Sequence, residues 1–516
     1  MTRALTVLLA FLAAASGCAR KEQTCSSDLT LCDAGCTALA TDRASCGACG
    51  HACLAGESCY AGACLCPHPT ACGGLCVDLE SDPVHCGSCD VACAGALVCT
   101  TSSGATSCAP SCATGQTACE RACVDLGTNV QSCGACQRSC GTNERCTSGR
   151  CVSDLYLACW NSDEVREATG ALAAAGIPRP VAPGPIGLAW SGELLAVASA
   201  KAGGAETLSA FRFDPPGVRR STLLETSFAA PDFEYLAAHE ALLYVSHASL
   251  GTLLIVTPSG SIVDEVRLVP AGSPNPNPQG IAFDSGDRAY VALAGTGEVV
   301  VLDVSQALAC ALGAQSRPCA TVLARLDLAP LASTGALPMP ARIAATGGRA
   351  FVAMWNLDAY FGVPAGSTGR LAAISGSTLD FDATFAGTAS GVIDLGPDCL
   401  DASDVAAYGG KLYVTCGAFD YSNYPTVTIQ GAGIVPVDVS GAVAKVLPAV
   451  ATPVDAQPVA PGKLAFCGST GYVGDRNSGR VFLFDPASGS TTLGTGVELC
   501  PPSNGFAFVA DIACGP

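Results

Sequence analysis

Lysine is nearly missing from this chain: five residues in 516, against 21 arginines, while acidic residues outnumber basic ones 44 to 26 and leave a formal charge of −18. So few cations cannot neutralise a row of phosphates, which excludes a nucleic-acid partner. Histidine is as scarce. His51, His68 and His85 lie among cysteines, His239 falls in a turn and His247 ends a strand, so none stands in a catalytic pattern. A Gly-x-Ser-x-Gly elbow, a His-Glu-x-x-His zinc motif and a phosphate loop are all absent. Bulky apolar residues are missing from one long segment: between Cys25 and Cys151 there is no Ile, Phe, Met or Trp, and Tyr60 is the one tyrosine. Such a segment cannot bury enough apolar area to offset chain entropy, so order there needs covalent help.

Cysteine is what that segment has instead. From Cys32, Cys72 and Cys119 the same frame recurs, C-x3-C-x9-C-x2-C-x3-C-x5-C, followed by a seventh cysteine at Cys64, Cys108 or Cys151. One more precedes each unit, at Cys25, Cys66 and Cys112, which makes eight per repeat and 24 of the 33 in the chain. Three copies of this length are tandem modules. The text Cys76-Val-Asp-Leu and Cys123-Val-Asp-Leu, with Cys-Gly-x-Cys at Cys46/Cys49, Cys86/Cys89 and Cys133/Cys136, resembles the repeats of the plant stigma-specific protein family. The first repeat departs from it at Thr37-Ala38-Leu39. The resemblance implies an extracellular spacer or interaction module without catalytic activity. Disulfides are the expected state of an exported chain; paired zinc knuckles and a redox Cys-x-x-Cys are the alternatives.

The N-terminus points to export. Arg3 is followed by an apolar stretch over 5–15 and then small residues, a secretory signal spanning 1–17 that is too short to cross a bilayer as a helix. Ala15-Ser16-Gly17-Cys18 resembles the lipobox of bacterial lipoproteins, which implies acylation of Cys18 and a lipid-anchored tether over 18–24. Ala15 stands where that family more often has Leu, and signal cleavage without lipid is the alternative. Ala19 rather than Asp implies, by the same analogy, the outer membrane.

After three cysteine-rich repeats over 25–152, the sequence over 153–516 changes to short β-rich runs between Gly, Asp, Ser and Pro turns. One strand recurs seven times, from Leu155-Tyr-Leu-Ala-Cys159 to Gly471-Tyr-Val-Gly-Asp475, at intervals of 40 to 62 residues. A second motif precedes most copies, for example Gln279-Gly-Ile-Ala-Phe283 and Ser403-Asp-Val-Ala-Ala407. Its last copy, Asn504-Gly-Phe-Ala-Phe508, has no following partner, and the first strand at Leu155 has no preceding one. The two orphans complete each other if the chain closes into a ring. The predicted fold is therefore all-β: a seven-bladed β-propeller closed by both termini and preceded by small disulfide-rich repeats. The text, with Gly297-Glu-Val-Val-Val-Leu-Asp303 and Gly479-Arg-Val-Phe-Leu-Phe-Asp485 as third strands, resembles NHL-like and lactonase-like propellers.

Aligning the second motif gives Gly187, Glu234, Gly280, Arg342, Asp404, Lys463 and Gly505 as equivalent channel positions. The charged four, Glu234, Arg342, Asp404 and Lys463, are expected at one channel mouth, as a polar ligand site or as a self-neutralised plug around trapped water. The lactonase-like resemblance implies a metal cage at the channel as the alternative function, to which Glu234 and Asp404 would contribute and which Arg342 and Lys463 would oppose. No catalytic residue, metal or cofactor is assigned, beyond weak calcium ligation at Asp284-Ser-Gly-Asp287. Eight cysteines lie outside the repeats and Cys18. Cys310 and Cys319 share one loop. Cys399 and Cys416 occupy places in their blade that Cys500 and Cys159 occupy in the shared one, which leaves Cys467 for Cys514; Cys159 with Cys514 is the alternative. The expectation is an exported, lipid-anchored binding protein of the envelope whose ligand lies in the envelope or outside the cell.

Overall fold

The computed structural model describes residues 30–32, 35–37, 39, 44–53, 58–60, 63–65, 70–72, 75–102, 104–140, 145–147, 149–152, 154–192, 194–200, 206–212, 219–226, 233–420, 427–454, 457–502 and 507–515. Cys18, the signal and Gly505 lie outside the described residues. The chain divides into two compact units, Met1–Leu126 and Gly127–Pro516.

In the cysteine-rich segment the strands form short antiparallel ladders, such as Thr70–Cys72 against Leu75–Val77 and Val98–Ser102 against Ala105–Ala109. The bonding pattern repeats with the frame. The first cysteine bonds the fourth, as in Cys32–Cys49 and Cys72–Cys89. The third bonds the sixth in Cys86–Cys99 and Cys133–Cys146, and the fifth bonds the seventh in Cys53–Cys64, Cys93–Cys108 and Cys140–Cys151. The cysteine that precedes the frame bonds the second in Cys112–Cys123. Cys86 and Cys89 therefore bond other partners than each other, so this Cys-Gly-x-Cys is neither a redox pair nor a zinc knuckle. Sulfur takes the place of a core: the buried cluster of the second repeat is Cys86, Cys93 and Cys99, with Leu97 and Cys108 against it. Each closure of an 11- to 17-residue loop contributes on the order of 3 kcal/mol through the unfolded state.

From residue 155 onward the described residues form seven antiparallel sheets of four or five strands. Six follow in chain order over 185–226, 233–267, 278–327, 340–394, 402–451 and 461–498. The seventh combines Leu155–Cys159, Glu164–Ala168 and Ala174–Pro180 with the last strand, Val509–Cys514. Leu155 faces Cys514 and Leu157 faces Ile512 across that pairing. The first strand of each sheet, here called inner, contacts the inner strand of the next sheet, and Val509–Cys514 contacts both the inner strand over 461–467 and that over 185–191.

The second strand of each sheet is apolar on both faces because each face meets a different neighbour. In Arg288–Leu293, Ala289, Val291 and Leu293 pack toward sheet two, while Tyr290 and Ala292 pack toward sheet four. In Leu155–Cys159, Leu155, Leu157 and Cys159 pack toward sheet six, and Tyr156 and Ala158 toward sheet one. Four disulfides lie in this array: Cys159–Cys500, Cys310–Cys319, Cys399–Cys416 and Cys467–Cys514.

Candidate functional site

Every inner strand carries one extra residue at the same place. The register slips between Pro185 and Gly187, Phe233 and Tyr235, Pro278 and Gly280, Pro340 and Arg342, Ala402 and Asp404, and Pro461 and Leu464; in the seventh sheet it slips between Val509 and Asp511. A bulge re-aims the side chains that follow it. The equivalent positions are thus Gly187, Tyr235, Gly280, Arg342, Asp404, Lys463 and Asp511.

Two sequence assignments are corrected by this register. Glu234 is the bulge residue of its strand, not the equivalent position, which Tyr235 fills. Its carboxylate instead accepts a 2.9 Å hydrogen bond from Gln279 Nε2, a bulge residue of the next sheet. The seventh position is Asp511 rather than Gly505, because Val509–Cys514 is the strand that pairs with Leu155–Cys159.

The two aspartates of the ring are committed to backbone. Asp404 Oδ2 accepts the N–H of Leu464 in the next sheet at 2.9 Å, and its Oδ1 that of Val405 at 2.9 Å. Asp511 does the same across the junction of the termini, accepting from Leu188 at 2.7 Å and from Ile512 at 2.9 Å. Lys463, between them in sheet order, places Nζ 3.2 Å from Asp511 and 4.0 Å from Asp404. Burial pulls the Lys463 ammonium down, but Asp511, Tyr235 and Asp404 outweigh it and hold the group above the usual lysine range. It stays charged.

Arg342 differs. Its guanidinium lies 4.6 Å over the Tyr235 ring, its Nη1 donates to Ala341 O at 3.5 Å, and no carboxylate among the described residues pairs with it. Gly280 makes this approach of sheets possible: a Cβ there would meet Ala341 O at 2.6 Å and Arg342 Cα at 2.9 Å. Arg342, Lys463, Asp404, Ser403, Trp355 and Arg476 line a cavity of about 100 Å³. Arg476 on its wall is paired with the buried Asp401 at 3.0 Å and lies 5.2 Å over Phe419. Phe419 in turn lines a second concavity of about 370 Å³, together with Tyr360, Phe361, Asp420 and Gln430. Asp358 accepts from the N–H groups of Tyr360 and Gly362, both at 2.8 Å, and so fixes the turn that exposes Tyr360 and Phe361.

At the Asp284-Ser-Gly-Asp287 turn the two carboxylates do not act together. Asp284 Oδ2 accepts from Arg288 Nε at 2.8 Å and from the Tyr290 hydroxyl at 3.0 Å; Asp287 faces His239 instead.

Among known proteins, no family model matches the chain, and no curated sequence matches it. Solved structures do. A protein from Lactobacillus plantarum is 15% identical, with 70% of this chain and 98% of that one covered and a TM-score of 0.50. A putative 6-phosphogluconolactonase from Bacteroides uniformis is 13% identical over 71% of this chain and 99% of its own, TM-score 0.47. Another from Bacteroides fragilis is 13% identical over 70% and 97%, TM-score 0.46. At such identities the likeness concerns the fold alone. The chain is an all-β, disulfide-rich protein whose larger unit is propeller-like. Its many disulfides fit an oxidising, extracytoplasmic compartment, and among the described residues no helix is long and apolar enough to cross a membrane.

Proposed function

We propose that this protein is an exported lipoprotein, acylated at Cys18, whose stigma-like repeats over 25–152 hold out a seven-bladed propeller that binds a ligand without breaking a bond. The ring closes where Val509–Cys514 joins Leu155–Cys159, and the Cys159–Cys500 bond reinforces that joint. The observation that carries the binding reading is the division of labour in the ring. Asp404 and Asp511 are spent on backbone N–H groups and on Lys463, which argues against their use as metal ligands or general bases. Arg342 is the ring cation that pairs with no carboxylate among the described residues and lies over the Tyr235 ring. The cavity beside it, about 100 Å³, is smaller than the roughly 300–1,000 Å³ of a typical ligand pocket. It has room for an acidic group, with the body of the ligand on the adjoining Tyr360–Phe361 concavity. Of the sequence-assigned four, Arg342 and Lys463 are the residues read as facing the ligand; Asp404 and Glu234 support them.

The test uses benzoate and inorganic phosphate as probes, titrated calorimetrically into the exported protein. Saturable uptake that Arg342→Gln abolishes, without a change in unfolding temperature, is the expected result. Metal-dependent hydrolysis of a gluconolactone that disappears in Glu234→Gln would overturn it in favour of a lactonase. The intact mass of the mature N-terminus checks the lipid separately: an unmodified Cys18 removes the anchor.

A further inference from the structure

Away from the channel, three metal-ligating side chains converge where the first hairpins of sheets two and three meet. His239 ends the strand Phe233–His239, and Glu240 and Ala241 form the turn that follows, both at positive φ, 46° and 64°. Asp287 closes the facing turn, also at positive φ, 54°. One ligand atom from each of His239, Glu240 and Asp287 lies within 4.8 Å of the other two, and His239 Nε2 is 3.1 Å from Asp287 Oδ1. Forty-eight residues separate these last two in the chain, so no local motif announces them.

Packing does not require this trio. His239 stacks on Phe283 at 4.4 Å with the rings 3° from parallel. The same stack recurs between sheets five and six, where Tyr408 lies on Phe466 at 4.7 Å and 14°. There Gly409 follows the tyrosine and the facing turn holds Gly468-Ser469. An aromatic ring therefore suffices for the stack, and the imidazole and two carboxylates are additions peculiar to sheets two and three.

A second feature points into the same place. Tyr244 is 1% exposed, and its ring packs 4.7 Å from Phe283 and 6.5 Å from His239. The turn itself is braced from behind: Asp284 accepts from Gly286 N at 2.9 Å and pairs with Arg288 at 2.7 Å.

Two carboxylates this close repel each other, the more so in a chain of charge −18, and a bound cation relieves that repulsion. Metal–ligand bonds of about 2.0–2.2 Å to imidazole nitrogen and carboxylate oxygen place ligand atoms roughly 3–4 Å apart around the ion. One imidazole with two carboxylates suits zinc, cobalt or manganese better than all-oxygen calcium or thiolate-seeking copper(I). We propose that His239, Glu240 and Asp287 bind one divalent transition-metal ion of the zinc type, with water completing its shell.

The experiment takes the full-length, disulfide-intact protein, strips it with EDTA, and titrates it with Co²⁺ by visible absorption and with Zn²⁺ by calorimetry. One equivalent should bind, and zinc should raise the unfolding temperature. His239→Tyr, which copies Tyr408 and keeps a ring on Phe283, should weaken uptake at least tenfold and remove the zinc-dependent rise. Asp287→Asn and Glu240→Gln, the latter on an exposed turn, should do the same, so the test survives a folding defect in any one variant. No stoichiometric uptake by the wild-type protein, or uptake unchanged in the folded variants, overturns the proposal.

Discussion

Deleting the Cys159–Cys500 bond by Cys159→Ala with Cys500→Ala measures how much the joint between the chain's two ends contributes to the larger unit. Both sulfurs are buried, which is why alanine rather than serine is the replacement. The bond spans 341 residues. The loop-entropy relation then assigns it about 6 kcal/mol at 25 °C. Cys310–Cys319 spans nine, and the same relation gives about 2.6 kcal/mol. The two deletions should therefore differ by about 3 kcal/mol although each removes one bond. With about 2.1 cal/mol/K of unfolding entropy per residue over 155–514, the expected falls in unfolding temperature are about 8 °C and about 3 °C. Equilibrium urea unfolding followed by the fluorescence of Trp160, Trp190 and Trp355 reads both, and the long-loop variant should also show a steeper denaturant dependence, because its unfolded chain exposes more surface. Equal losses from the two deletions would refute the argument from loop length and the closure it describes.

Asp511→Ala removes the acceptor of two N–H groups and the nearer partner of Lys463; a loss of about 3–5 kcal/mol is expected, whereas adding Lys463→Met should recover part of it by removing the stranded cation, and urea unfolding of the single and double variants decides. Asp284 is penalised by burial, but hydrogen bonds from Arg288, Gly286 and Tyr290 outweigh that and hold its carboxyl below the usual range. Its folded pKa is thus depressed, so its stabilising contribution is complete above the unfolded value of about 3.9 and is lost as pH falls through the folded value. Asp284→Asn should lower stability at pH 7 and flatten the acid limb of the unfolding profile below about pH 4; an unchanged acid limb would show that this network contributes nothing.

The sheets were legible because their second strands are two-faced. Runs such as Ala289-Tyr-Val-Ala-Leu293 and Ala350-Phe-Val-Ala-Met354 must bury alternate residues against different neighbours, and that demand leaves a text that recurs. The ring positions were legible only in part. The slip from Glu234 to Tyr235 is a single residue, which in a strand changes the face; Tyr235 already precedes Leu236-Ala237 as Gly187 and Gly280 precede their own pairs, so the text held the correct register and the ladder makes it plain. Ala510-Asp-Ile-Ala-Cys514 carries the motif as well as Asn504-Gly-Phe-Ala-Phe508 does, so the text offers two segments for one place. Only the ladder to Leu155–Cys159 distinguishes them. The cluster of His239, Glu240 and Asp287 had no usable signal at all, since each residue alone reads as a turn.

Composition and spacing alone determined that the first segment is covalently held and that the second is a repeated β array. Both follow from local requirements: a segment without bulky apolar residues has no other means of order, and a doubly covered strand must be apolar along its length. The tertiary structure decided which cysteines meet inside the repeats, which residues hold equivalent places on the inner strands, and which charges neutralise one another. Those outcomes depend on distances between segments tens to hundreds of residues apart: Asp511 reaches Leu188 across 323 positions, and Lys463 meets both Asp404 and Asp511. Charge type is written in the chain, but charge partnership is set by geometry, because a hydrogen bond or ion pair needs its atoms within about 3–4 Å while the sequence carries no distances.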